Sequence, residues 1–334
     1  MRIGLAYDLK EKMALELAGP EDALEEYDSA ETVELIARSL ESRGHSVVML
    51  GGGREFLDNI LNEKVEFVFN IAEGRGNYRS REAQIPAILE MLGIPYSGSD
   101  PQCLTICLDK PLTKTLVSAS GIRTPYFQVI TNSRQLNEIR WERFPFPVII
   151  KPAHEGSSKG IRLGSLAENR EEAVVLIEHL VDGYQQPMLI EEFITGDEVT
   201  VGLVGNSPPS VVGLMRIVPR RRYDHFIYSL EVKRDWKELV DYECPARLRE
   251  EIIQEIKSLS LKTFEVLGCR DVARLDFRVS AEGLPYLIEI NPLPGLGTHS
   301  DLIIMATKMG QSHPQVIGDI LNAALRRYPQ CASV

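Results

Sequence analysis

Between Val272 and Val279 the chain alternates without a break: Ala273, Leu275, Phe277 and Val279 are apolar, while Arg274, Asp276 and Arg278 fall on the other side. After a turn at Gly283, a second run sets Leu287, Glu289 and Asn291 on one side and Tyr286, Ile288 and Ile290 on the other. The pattern predicts a hairpin. With its polar faces together, that hairpin gathers Asp276, Glu289 and Asn291 into a hard, all-oxygen site. Magnesium takes such a donor set and leaves its remaining positions to phosphate and water. An ordinary hairpin with one solvated face carries the same alternation.

Elsewhere the apolar positions divide the chain into three segments. Residues 1–105 alternate buried-type strands (Arg2–Tyr7, His45–Leu50, Glu66–Ile71, Ile94–Ser97) with helical patterns at Ser29–Arg43 and Arg81–Leu92, closed by Gly44 and Gly93. This is the pattern of an open parallel α/β domain. Residues 106–193 predict a helix over Asp109–Ser120, strands at Tyr126–Ile130 and Pro147–Lys151, a glycine-serine loop, a helix near Ala167–Val181 and a strand at Met188–Glu192. Residues 194–334 open with a strand at Glu198–Val204 and pass an irregular stretch from Pro219 to Pro245. A helix at Arg247–Leu267 and the hairpin follow, and residues 301–326 are helical.

Composition narrows the functions open to these segments. At 334 residues and 44% hydrophobic content, the chain can bury a core in each of them. A net charge of -11 argues against general binding to nucleic acid or to an anionic membrane surface. No run approaches the roughly 18 apolar residues of a membrane span. The N-terminus becomes charged too early for a secretory signal, so the expected compartment is the cytoplasm. Five cysteines without a CxxC pair fit that compartment. Cys103 and Cys107, four apart in a helix, read as packing residues rather than metal ligands.

Any anion must then be held by locally placed bases. The strand Pro147–Lys151 ends in a lysine and runs into Glu155-Gly156-Ser157-Ser158-Lys159-Gly160. The N–H groups and hydroxyls of that flexible loop can close over phosphate oxygens, with Lys151 adding a point charge. The spacing is not that of a Walker A motif, and a plain hairpin connection has the same composition. Two glycines predict a loop that opens and closes over the nucleotide. Lys110 could reach a phosphate from the other side, or be a solvated helical lysine. Glu191 and Phe193 end a strand where adenine could be read, and Glu198 could accept hydrogen bonds from ribose hydroxyls; surface acids would look alike.

Taken together, Lys110, Lys151 with EGSSKG, the Glu191–Glu198 segment, and RLD followed by EINPLPG resemble the ATP-grasp superfamily, and within it the D-alanine:D-alanine ligases. The resemblance runs from about residue 66 to 325. It implies an N-terminal α/β domain followed by a two-part ATP-grasp fold, and an ATP- and magnesium-dependent ligase that joins a carboxylate to an amine through an acyl-phosphate. It further implies that Asp276, Glu289 and Asn291 hold two magnesium ions and that Lys233 lies near the γ-phosphate. Lys110, Lys151, Glu155, Gly156 and Ser158 would meet the nucleotide, Glu191 and Phe193 its adenine, and Glu198 its ribose. Arg274, Ser157 and the Gly295 backbone would face the reacting carboxylate. The substrates would be amino acids or small peptides, and a homodimer is usual in the family.

The departures concern the amino-acid end. The family's N-terminal glycine-rich segment, whose glutamate helps hold the first amino acid, is absent. Glu73 stands for a family histidine, Arg234 for a tyrosine, and Asp301, after the substrate-contacting Ser300, for a leucine. Ligation is therefore implied more strongly than D-alanine as its substrate, and the altered residues predict a more highly charged pocket. Two alternatives stay open: an authentic D-alanine:D-alanine ligase, and an ATP-binding regulatory protein without turnover.

Overall fold

Arg2–Ala6 (β1) is buried except at its first residue and lies at the centre of a parallel sheet, flanked by Ser46–Gly51 (β2) and Phe67–Asn70 (β3). The computed structural model describes residues 1–16 and 19–331. The strand expected at Ile94–Ser97 is only an isolated bridge, Tyr96 to Val68. Helix Ala30–Glu41 starts where the Ser29 hydroxyl accepts the Thr32 N–H at 3.2 Å, and it buries Val33, Ile36 and Leu40 on the sheet. Beside them pack Val316, Ile317, Ile320 and Leu321 of the helix His313–Leu325, so one apolar core joins the two ends of the chain.

A four-stranded sheet follows, built from Phe127–Ile130 (β4), Val148–Pro152 (β5), Leu166–Ala167 (β6) and Met188–Glu192 (β7) in the order β4-β7-β5-β6. The third sheet runs β10-β9-β8-β11-β12, with Gly196–Gly205 (β8), Pro209–Pro219 (β9), Val240–Glu243 (β10), Val272–Ser280 (β11) and Pro285–Asn291 (β12). Its core face packs on helix Glu250–Val266. The stretch after Pro219 is less irregular than its sequence, holding short helices at Leu230–Arg234 and Trp236–Leu239 before β10. Cys103, Cys107 and Cys269 sit in the same core, the Cys103 sulfur lying 3.9 Å from that of Cys107 and 3.6 Å from that of Cys269.

The hairpin forms, with one correction. Asp276 pairs with Glu289 and Arg274 with Asn291, but the register then slips so that Phe277 faces Leu287. A bulge at Ile288 absorbs the extra residue. Leu287, placed by simple alternation beside Glu289, instead enters the core with Phe277 and Ile290.

Candidate active site

Two hollows meet above the hairpin. An apolar slot is walled by Ile149, Ile161, Phe193, Ile227 and Ile288, with Lys151, Ser158, Glu191, Glu198, Asp276 and Glu289 at its polar edges. A wider cavity of about 460 Å³ is lined by Ser157, Arg274, Asn291, Gly295, Ser300 and Asp301, together with Asp28 and Glu73. Tyr228 and Lys233 belong to both. The Lys233 ammonium lies 5.0 Å from the Tyr228 ring centre, and no ion pair reaches it among the described residues.

The basic groups follow from local structure. The Asp109 side chain caps helix Lys110–Ala119 by accepting the Leu112 N–H at 3.1 Å, which sets Lys110 in the first turn and Lys114 one turn later on the same face. Lys110 donates to the Glu155 carbonyl at 2.7 Å and pairs with Glu289 at 3.0 Å; it does not line the slot. Lys114 was not legible as a site residue, because a helical lysine reads as solvated. It is 1% exposed and pairs with Glu191, which Lys151 of β5 contacts at 2.7 Å from the other side. Burial pushes the Lys114 pKa down to about 8, only partly countered by Glu191. Burial alone would raise Glu191, but the two ammonium groups outweigh it and hold the carboxylate below its ordinary value.

Asp276 accepts hydrogen bonds from Thr200 at 2.8 Å and from Arg274 at 2.8 and 3.2 Å. Burial, reinforced by facing Glu289, raises its pKa despite Arg274. The Asn291 side-chain oxygen accepts the Leu293 N–H at 2.9 Å and keeps a second lone pair. Two carboxylates and an amide oxygen therefore share one sheet face, neutralised by Lys110 and Arg274. That donor chemistry suits a hard divalent cation. Glu198 pairs with Arg278 at 3.0 Å, and the Arg278 guanidinium, unforeseen from sequence, lies 4.4 Å over the Phe193 ring.

The glycine-serine loop differs from its expectation. Ser157 and Ser158 both adopt left-handed backbone, with φ of 49° and 60°, an arrangement that costs side-chain-bearing residues on the order of 1–3 kcal/mol each. It turns Ser157 toward the cavity and Ser158 toward the slot. Glu155 and Gly156 face away from both: the Glu155 carboxylate meets Arg81 at 3.2 Å, Gln186 at 2.6 Å and Lys159, and Gly156 backs onto Glu26. In this structure the loop is held by several contacts. Asp22 accepts the Gly160 N–H at 2.9 Å and the Tyr184 hydroxyl at 2.7 Å, while Glu26 holds Lys159 and Arg81, each at 2.8 Å.

The charged departures separate into two groups. Arg234 does not offer a free charge to a substrate, since Glu21 at 3.0 Å and Glu25 at 2.6 Å already take it. Asp301 is likewise held, accepting the Tyr228 hydroxyl at 3.0 Å with Arg274 at 3.7 Å. Ser300 occupies the cap position of helix Asp301–Lys308, and a Cβ on Gly295 would come within 2.9 Å of its hydroxyl, so a side chain there would have to displace it. Glu73 is different: no hydrogen bond or ion pair joins its side chain among the described residues, and burial, with Glu82 and Glu26 nearby, raises its pKa well above the ordinary value against the lowering pull of Arg81. Asp28 is raised to about 7, by burial and then by Asp8. A carboxyl raised in the folded state contributes stability below its unfolded value of 3.8 that is lost as pH climbs through about 7. Asp28→Asn should therefore stabilise the protein at pH 8, by on the order of 2–4 kcal/mol, and leave it unchanged near pH 3.5. Urea unfolding at the two pH values checks this; equal effects at both would show that Asp28 is not the strained group.

Comparison with known proteins decides the family. The profile described as "D-ala D-ala ligase C-terminus" matches residues 116–322. The D-alanine–D-alanine ligase of Aquifex aeolicus is 30% identical over 295 residues, covering 88% of this chain and 94% of that one. This chain belongs to the D-alanine:D-alanine ligase family. Membership carries the ATP-grasp fold and the reaction class, ATP-dependent formation of a C–N bond. Another relative, the uncharacterized protein y4sG of Sinorhizobium fredii, is 33% identical over 303 residues, covering 88% of this ligase and 87% of that protein. Among solved structures, the Bacillus anthracis D-alanine–D-alanine ligase complexed with ATP superposes with a TM-score of 0.76 at 23% identity, covering 98% of both chains. The VanG D-Ala:D-Ser ligase of Enterococcus faecalis gives 0.73 at 20% identity over 97% of this ligase and 99% of that chain.

Proposed function

We propose that this ligase binds ATP in the slot, with adenine between Phe193 and the isoleucines, ribose at Glu198 and phosphates along Ser158, Lys151 and Lys233, and joins two amino-acid or small-peptide substrates in the cavity. One observation carries the reading: Lys233 borders both hollows and shares the slot with the paired Asp276 and Glu289, so a γ-phosphoryl group leaving the slot for the cavity would pass it. The phosphoryl group passes to a substrate carboxylate; the amine of the second substrate then attacks the acyl-phosphate, and an amide, ADP and phosphate leave. Asp276, Glu289 and Asn291 would hold magnesium, because two carboxylates and an amide oxygen on one sheet face make a hard donor set.

Two ions would fit the family pattern, and when bound they supply Lewis-acid charge to the transferring phosphoryl oxygens. Lys151 and Lys233 offset charge on the phosphates, and Arg274 with the Gly295 N–H stabilises the oxyanion formed when the amine attacks. Ser157, held in its left-handed conformation, orients the reacting carboxylate.

In this reading residues 1–105, 106–193 and 194–334 act as three units around the two hollows, the protein works in the cytoplasm, and a homodimer is its assembly. D-alanine is not the preferred substrate in this reading, because Glu73 stands at the cavity in place of a family histidine, whereas the charges of Arg234 and Asp301 are taken up within the chain. A silent nucleotide binder is disfavoured by the intact Asp276, Glu289 and Asn291 set. ADP release measured over a panel of amino acids and dipeptides, with mass detection of the amide, tests the reading. At least one pair should give stoichiometric amide and ADP; nucleotide binding without amide from any pair would overturn it.

A further inference from the structure

Sequence spacing pairs Cys103 with Cys107, and the fold brings a third thiol to them. Cys269 lies in the turn between helix Glu250–Val266 and β11, and all three buried sulfurs stand within 4.8 Å of one another. Three thiolates on one tetrahedral zinc, at about 2.3 Å each, would be roughly 3.8 Å apart. The two pairs centred on Cys103 are 3.9 and 3.6 Å apart. Neighbouring residues tie the two segments together independently of the thiols. The Asp100 side chain accepts the Cys103 N–H at 2.9 Å, at the start of helix Pro101–Leu108, and pairs with Arg270 at 2.7 Å. The Arg270 N–H donates to the Ser99 hydroxyl at 2.9 Å, and Asp271, at φ 67°, accepts the Gly98 N–H at 2.8 Å. Cys103 and Cys269 also line an open hollow of about 900 Å³, shared with Lys262 and Arg270, which gives an ion a path in from solvent.

We propose that Cys103, Cys107 and Cys269 form a site for a thiophilic metal ion, zinc or monovalent copper. The three lie in the core with Ala273, Leu275 and Phe277, whereas Asp276 of the same strand faces the slot, so this site is separate from the one read for magnesium. Chemistry separates them as well, since thiolate sulfur favours soft ions and magnesium favours oxygen. On binding, each thiol gives its proton to solvent as its sulfur takes the metal. Zinc on three thiolates keeps one net negative charge and a fourth position, which water from the hollow can fill beside Lys262 and Arg270. Monovalent copper can be held by the three sulfurs alone. Either ion would fasten helix Pro101–Leu108, which leads into the helix of Lys110 and Lys114, to the root of β11. The site rests on the thiols and is independent of the ligase reading.

The test titrates reduced, chelator-stripped protein with cadmium in excess magnesium and follows the ultraviolet sulfur-to-cadmium charge-transfer band, which oxygen ligands do not give. The band should saturate at about one ion per chain, and the unfolding temperature should rise with bound metal. Cys269→Ser, a near-isosteric change, should weaken binding by at least about 100-fold, beyond the 10–100-fold loss of a residue that only supports a ligand. Cys244→Ser should bind like the wild type, because Cys244 packs in a different cluster. Competition then separates the ions: displacement of cadmium by zinc identifies the four-coordinate site, and displacement by monovalent copper alone identifies the three-sulfur one. No band in the reduced wild type, or an undiminished band in Cys269→Ser, would overturn the site and leave three packing thiols. If Cys269→Ser fails to fold, the wild-type titration still decides: a band with the intensity of three thiolates supports the site, and a weaker one overturns it.

Discussion

Glu289→Gln should lower ADP formation by about 10²–10³-fold while leaving a folded protein. Glu289 faces Asp276 across the hairpin and supplies half of the negative charge available to a divalent cation there. Removing one charge from such a pair forfeits several kcal/mol of stabilisation of the transferring phosphoryl group. The glutamine oxygen can still accept from Lys110, now 3.0 Å from the carboxylate, so no buried ammonium is abandoned. Affinity for ATP without magnesium should change little, whereas the magnesium concentration for half-maximal rate should rise. ADP release at several magnesium concentrations, beside metal-free nucleotide binding, measures both. Turnover like the wild type would remove Glu289 from the metal site.

The largest stability effect is expected at Glu191. Its carboxylate is 1% exposed and is the shared anion for Lys114 and Lys151, themselves 1% and 2% exposed. Glu191→Gln leaves two buried ammonium groups without a charge between them, and breaking a buried pair in this way costs about 3–5 kcal/mol. Lys114→Met should cost much less, because Glu191 keeps Lys151. The pH dependence has a defined sign: Glu191 is held below its ordinary value of 4.5, so its contribution is present above that pH and lost as pH falls through the folded value. Urea unfolding of both variants at pH 7 checks the order. Equal losses would mean that the lysines, rather than their common carboxylate, organise this part of the core.

Much of the site was legible wherever a side chain's direction follows from strand period. Asp276, Glu289 and Asn291 converge because alternation fixes the faces of two paired strands. The same rule misplaced Leu287, since no periodicity announces a bulge. Strand β9 went unread because prolines bound it and Gly213 interrupts its apolar run. Lys114 went unread because helix spacing shows that it shares a face with Lys110 but not that the face is buried. Glu155 was read correctly as part of the loop and wrongly as turned toward the nucleotide; its true partners Arg81 and Gln186 lie 74 and 31 residues away in sequence. The acid turn from Glu21 to Asp28 carries no motif, and its role exists only once Lys159, Arg162 and Arg234 have been brought to it.

The slip at Ile288 makes two properties of one strand separately adjustable. Shortening β12 by that single residue would leave Leu287 facing Phe277 and Glu289 facing Asp276, the pairs that already exist, and would subtract only one wall of the apolar slot. Hairpins that alternate regularly cannot be edited by one residue without turning their faces inside out. Here the extra residue is an insertion that the frame tolerates, so the shape of the slot wall can change while Asp276 and Glu289 keep their places.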